Sequence, residues 1–208
     1  MTRAEAKYRA RQQLGGNIFS GDWVRAAIVV GIFYVLGIWI KAVGMENIEI
    51  LGNIISVFTL GPLSYGLYLI FLKKSKDGEQ IKIADVFKGF SEDLAGNFML
   101  NLMINIFIAL WSLLFVIPGI VKYYAYSMAF LVKADHPEYG WKQCLDESKR
   151  ITDGHKMELF LLDMSMIGWR ILGSICLGIG SFWVSAYSIA AKTEYYRAWT
   201  EDGLFEQK

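Results

Sequence analysis

Hydrophobic positions along this chain come in long blocks rather than in short alternating runs. Ile50 to Leu72, Leu94 to Val121 and Ile171 to Ala191 contain no Asp, Glu, Lys or Arg. A bilayer core about 30 Å thick is crossed by about 20 apolar helical residues, and each block is long enough. Buried helices of a water-soluble domain would be shorter and amphipathic. Reading the blocks with the charges between them predicts six membrane segments. They run from Trp23 to Ala42, Ile54 to Leu72, Leu94 to Ile117, Ile120 to Val132, Met157 to Leu177 and Ser181 to Trp199. Lys122 makes the fourth the shortest apolar run. Gly61-Pro62 predicts a kink in the second. Pro118-Gly119 and Gly178-Ile179-Gly180 predict tight turns, and Glu46, Glu49 and Asn53 a short loop.

The links on the other side carry a helical pattern of their own. Ile83, Val86, Phe87 and Phe90 fall at i, i+3, i+4 and i+7. Pro137 and Glu138 open a second amphipathic helix, with Trp141, Leu145 and Ser148 along one face and Gly154 suited to its stop. These helices either lie in the membrane interface, with Lys88, Lys142, Lys149 and Arg150 toward anionic headgroups, or pack on the bundle's inner mouth. Thr2-Arg3-Ala4-Glu5 resembles a capping box and predicts a third short helix. The expected fold is therefore all-α: a polytopic membrane bundle of three hairpins with short amphipathic cytoplasmic helices, residues 1–208 forming one integral membrane domain. A faint repeat accompanies it. Ala125-Tyr126-Ser127-Met128-Ala129 matches Ala186-Tyr187-Ser188-Ile189-Ala190 at a spacing of 61 residues, and Ser64-Tyr65 lies the same distance upstream.

Charge orients this bundle. The net charge is only +1, but most of the 21 Lys and Arg gather in Arg3–Arg11, Lys73–Lys88, Lys133–Lys156 and the stretch after Lys192. Basic loops stay in the cytoplasm, which predicts a multi-pass cell-membrane protein with both termini inside. Acidic residues share these loops, so nucleic acid is not an expected partner; the bilayer and a membrane or cytoplasmic partner protein are. Basic residues also precede Val24–Ile40, and Ala42-Val43-Gly44 loosely resembles a cleavage site. Arg25 and Lys41 bracket a rather long apolar run, however, so the first segment is expected to be retained. Cys144 falls in a predicted cytoplasmic loop and Cys176 near the far end of a segment, which predicts no disulfide between them.

Catalytic patterns are missing. There is no H-E-x-x-H, G-x-S-x-G or P-loop, and the two histidines, His136 and His155, share one loop. Asp135-His136 is better explained as a polar turn before Pro137 than as a metal pair. No catalytic, cofactor or metal residue is expected. What stands out is polarity at membrane depth. Asp163 and Arg170 are two turns apart on one helical face, and Ser165 lies between them. Asn97, Asn101 and Asn105 repeat every four residues along the third segment. Asp163 and Asn101 lie at matching depth, which predicts a polar seam between segments three and five. Such a seam is either glue between helices or the lining of a small polar cavity. Trp23, Trp39, Trp183 and Trp199, with Tyr123, Tyr124, Tyr195 and Tyr196, are expected as an aromatic belt. Gly168, Gly173, Ser181 and Ser185 are expected to let helices approach closely.

Several of these residues resemble a known family. Val86-Phe87-Lys88-Gly89-Phe90, Leu110-Trp111, Ile117-Pro118-Gly119-Ile120 with Lys122, Ser148, Gly154 with Lys156, Phe160, Ser165-Met166-Ile167-Gly168-Trp169 and Gly178-Ile179-Gly180 resemble the bacterial integral-membrane family catalogued as domain of unknown function 975. The resemblance runs from about Lys82 to Trp199. That family usually has Pro-Tyr where this chain has Ala186-Tyr187, so the sixth segment lacks that proline. The resemblance implies a multi-span bacterial membrane protein and brings no established activity. From sequence, then, the expected function is a non-enzymatic membrane module binding a partner protein or lipid. The alternative is a small transporter or lipid-handling protein using the seam.

Overall fold

A computed structural model describes the backbone of residues 1–45, 49–175 and 179–206, and side chains outside 40–55, 175–179 and 201–208. All regular structure among them is helical. In chain order the helices are α1 (Arg3–Gln13), α2 (Gly21–Met45) and α3 (Glu49–Asp77), then a 3-10 turn (Ile83–Phe87) leading into α4 (Lys88–Ser91). There follow α5 (Leu94–Leu114), α6 (Val116–Ala125), α7 (Ala129–Asp135), α8 (Trp141–Ile151), α9 (Lys156–Ile175) and α10 (Ile179–Glu206). Among the described residues, three stretches are long and apolar enough to cross a membrane: Gly21–Trp39, Ser56–Asp77 and Leu94–Leu114.

The helices pair as hairpins, α2 with α3, α5 with α6, and α9 with α10. The first helix of each pair starts, and the second finishes, at the end of the bundle that carries α1, α4 and α8. One rule relates the hairpins to the short helices. The 3-10 turn and α4 pack on α3, α8 packs on α7, and α1 packs on α10. The 3-10 turn and α4 thus rest on the returning helix of the first hairpin, α8 rests on α7, which follows the second hairpin, and also touches α5, and α1 closes the circuit by resting on the last returning helix. Ala6, Ala10 and Leu14 are fully buried there, and the Tyr187 hydroxyl donates to the Lys7 carbonyl at 2.9 Å. The returning helices form the centre. Leu63, Tyr65, Phe71, Met128, Leu131, Ala186, Ala190 and Tyr195 are all buried in the core.

Several local expectations change. The fourth segment is not one helix but two, broken at Tyr126–Met128. Ser148 of α8 donates to the Ala125 carbonyl at 2.8 Å, so the polar backbone at the break has a side-chain partner. The turn before α6 sits at Phe115, which is extended (φ −157°, ψ 145°), and not at Pro118-Gly119. Proline is tolerated in a first helical turn, and there Pro118 stays helical. Gly119 serves packing instead: a Cβ on it would overlap Ser112 of α5. Helix α3 is helical through Pro62 and starts at Glu49, so Glu49 and Asn53 are helical rather than loop residues. Cys176 and Gly178 lie outside the described residues, while Ile179 and Gly180 already belong to α10.

The amphipathic link at Ile83–Phe90 forms as a 3-10 turn running into one α-turn. Val86 is buried against α3, whereas Ile83, Phe87 and Phe90 are exposed. Thr2 caps α1 by accepting from the Glu5 amide at 3.3 Å, but the Glu5 side chain pairs with Arg9 at 2.6 Å rather than closing a capping box. The aromatic belt expected from sequence is mostly not formed. Trp23, Tyr124, Tyr195, Tyr196 and Trp199 are buried, the last three on the central helix α10; Trp39 and Tyr123 are exposed. Gly173 does allow close approach, lying against Gly180, while a Cβ on Gly168 would meet nothing.

Candidate functional site

The six polar residues singled out from sequence do not form one seam. The asparagine stripe faces α3 and α4. Glycines make that approach possible: a Cβ on Gly61 would overlap the Asn97 carbonyl, one on Gly66 the Val86 carbonyl, and one on Gly89 the Pro62 carbonyl. Backbones this close leave carbonyls within side-chain reach. Asn97 donates to the Gly89 carbonyl at 3.0 Å, and Asn101 to the Val57 carbonyl at 2.9 Å. Asn105 folds back onto Asn101, donating to its backbone carbonyl at 2.8 Å and to its Oδ1 at 3.3 Å. Val57 is one residue from Phe58, the position whose carbonyl loses its helical donor because Pro62 has no N–H. Asn97 and Asn101 thus spend their amides on backbone of neighbouring helices, and Asn105 on Asn101. The Asn97 Oδ1 is buried with no partner among the described residues.

Asp163 faces the interior as expected, but its partners come from α10 and not from α5. Lys192 donates to Oδ2 at 3.0 Å and Ser188 to Oδ1 at 3.5 Å. The Tyr124 hydroxyl of α6 also interacts with this carboxylate. Asp163 and Lys192 are each 8 % exposed. The reason for the correction is topological: α9 pairs with α10, whereas α5 lies between α3 and α6. Matching depth puts Asp163 and Asn101 at one level without putting them side by side. Ser165 bonds only its own helix, donating to the Leu162 carbonyl at 2.6 Å. Arg170 is exposed.

Two polar features escaped the sequence reading. The first is Lys133, which is 2 % exposed. Its ammonium donates to Asp93 Oδ2 at 2.7 Å and to the Pro137 and Tyr139 carbonyls at 2.7 and 2.9 Å. All three protons are used. Asp93 also caps α5, accepting from the Gly96 amide at 2.9 Å, and the Lys133 ammonium holds its carboxyl below the ordinary carboxylate range. The second is Lys192. Ser188 and Lys192 stand four residues apart, one helical turn, and that spacing is the signal that could have marked a polar face on α10 toward Asp163. Around them, Tyr196 donates to Asp135 at 2.9 Å, Lys76 pairs with the same carboxylate, and Ser75 donates to Glu194 at 2.6 Å. Cys144 is buried in α8, and burial pushes its thiol up to about 11.

A cleft of about 430 Å³ opens on the same end of the bundle, between the last turn of α6, the outer face of α8 and the start of α9. Lys122, Lys149, Arg150 and Lys156 line it together with Asp146 and Asp153. Among the described residues no group of three or more His, Cys, Asp or Glu is placed to hold a metal. No curated protein and no solved structure matches the chain. The family match begins at residue 114, so the resemblance at Val86–Phe90 and Leu110–Trp111 falls outside it. Residues 114–202, α6 through most of α10, match the model of the family described as "Protein of unknown function (DUF975)".

Proposed function

We propose that the protein is a six-span protein of the cell membrane, with both termini and the short helices α1, α4 and α8 on the cytoplasmic side. In this reading it is a non-enzymatic module that binds lipid or a partner protein through that cytoplasmic rim. One observation carries it: apolar exposure and charge are segregated along the bundle. Large apolar side chains exposed on the outer helices include Val35 and Ile38 on α2, Leu110 and Leu113 on α5, Ile117 on α6, and Trp169 and Ile171 on α9. The ion pairs Lys74–Asp22, Lys133–Asp93 and Lys149–Asp146 gather at the other end. Exposed apolar area of this extent needs a cover, and a bilayer supplies one. Ile83, Phe87 and Phe90 extend it to the rim, which favours the interfacial reading of that link.

Impermeant thiol labelling in intact cells tests the orientation, with Cys144 and Cys176 replaced. Glu46→Cys is expected to label, while Lys76→Cys and Lys149→Cys label only after permeabilisation. Labelling of Lys149→Cys in intact cells would overturn the topology. A second reading, a small transporter or lipid-handling protein, draws on the buried Asp163–Lys192 pair, since ionisable groups at membrane depth are costly.

A further inference from the structure

We propose that the cleft between α6, α8 and α9 is a binding site for the phosphate headgroup of an anionic phospholipid. The inference rests on the membrane reading above. The cleft is lined by four cations and two carboxylates, Lys122, Lys149, Arg150 and Lys156 against Asp146 and Asp153, so it carries a positive excess. Not all of that charge is committed. Lys149 pairs with Asp146 at 2.8 Å and Lys156 with Asp153 at 2.9 Å, both across solvent-exposed contacts between neighbouring turns. Pairs of that kind contribute from nothing to about 1 kcal/mol, so an incoming dianion or diester competes with them readily. Lys122 has no carboxylate partner among the described residues; its ammonium lies 4.8 Å from the centre of the Trp111 ring. Arg150 is the most engaged, held by Glu147 through two bonds at 2.9 and 2.5 Å.

The flanks decide which anion. Ile117, Ile120, Val121 and Tyr123 on α6 are exposed, as are Met157, Leu161 and Met164 on α9. A basic cleft whose two walls continue as exposed apolar helix faces matches a ligand with one anionic end and two hydrocarbon chains. A soluble phosphate would use the cations and leave the flanks bare. A nucleic acid would need a longer basic track than a 430 Å³ cleft. Basic pockets between membrane helices on the cytoplasmic side take acidic headgroups in this way.

The test uses the full chain purified in a neutral detergent, titrated calorimetrically at constant ionic strength. The probes are dihexanoyl-phosphatidylglycerol, dihexanoyl-phosphatidylcholine and inorganic phosphate. The first is expected to bind about tenfold or more tightly than the other two. Lys122→Gln and Lys156→Gln should each weaken it about fivefold. Lys142→Gln, on α8 but outside the cleft, should leave it unchanged. Unfolding midpoints of all variants are measured first, and the preference of the unaltered protein among the three probes keeps the test valid if a glutamine variant does not fold. Equal binding of both lipids, equal binding of inorganic phosphate, or an equal loss with Lys142→Gln would each overturn the assignment. Because binding is read in detergent, it fails or succeeds independently of the labelling that tests the topology.

Discussion

Lys133 shows how a single residue can hold an end of the bundle together. It sits on α7, fully covered, and draws the start of α5 and the link after α7 onto one ammonium. Lys133→Met keeps the stem's apolar contacts but strands two carbonyls and removes the cation beside Asp93. The expected loss is about 2–3 kcal/mol, read by denaturant or thermal unfolding of the purified protein. Asp93 adds a pH dependence. Its folded-state carboxyl titrates below the ordinary value near 3.9, so its contribution is full above that value and is lost as pH falls through the folded one. Asp93→Asn should therefore flatten the stability profile below about pH 4 and leave its shape near neutrality unchanged. An acid limb identical to that of the parent would contradict this. None of this was legible in the chain order: Lys133 looks like one more loop cation, and only the fold shows that its neighbours are all acceptors.

Between elements, glycine sets the distance. Helix α3 meets the 3-10 turn, α4 and α5 so closely that Gly66 and Gly89 each face a carbonyl oxygen where a methyl group would have to stand. Gly66→Ala and Gly89→Ala are expected to destabilise by more than about 2 kcal/mol, because backbone cannot yield as a side-chain end can. Gly168→Ala on α9 is the contrast. Nothing lies within 4 Å of its added methyl, so the change should be neutral or stabilise by up to about 1 kcal/mol. Equal effects at the three positions, measured as unfolding midpoints, would contradict the packing. The glycines expected from sequence to bring helices together were Gly168 and Gly173. Gly173 does so and Gly168 does not, because glycine spacing marks a possible contact while the neighbour is supplied by another part of the chain. The 61-residue spacing places Tyr65 on α3, Tyr126 at the α6–α7 break and Tyr187 on α10.

At the scale of the molecule, the partner of Asp163 follows from which hairpin owns α9. It meets Lys192 of the same hairpin, and the pair is buried. Asp163→Leu alone leaves a buried ammonium and is expected to cost about 3–5 kcal/mol; Asp163→Leu combined with Lys192→Leu should recover most of it. A double-mutant cycle with no coupling would remove the pair's role in joining α9 to α10. Full recovery of stability together with loss of a cellular phenotype would instead favour the transport reading.

Sequence alone determined an all-helical chain with apolar blocks long enough for membranes, the approximate helix spans and the short helices between them. Those follow from hydropathy, charge exclusion and caps, which are sums over neighbouring residues. Tertiary structure decided the rest: the break in the fourth segment, the inward turn of the α10 aromatics, the separation of the asparagine stripe from Asp163, and the grouping of Lys122, Lys149 and Lys156 around one cleft. Each depends on which helix faces which, and that is a choice among distant surfaces of similar polarity. Depth along an axis can be counted in residues at 1.5 Å apiece, whereas the azimuth of a neighbour is fixed only when glycine contacts, capped ends and buried pairs are satisfied together.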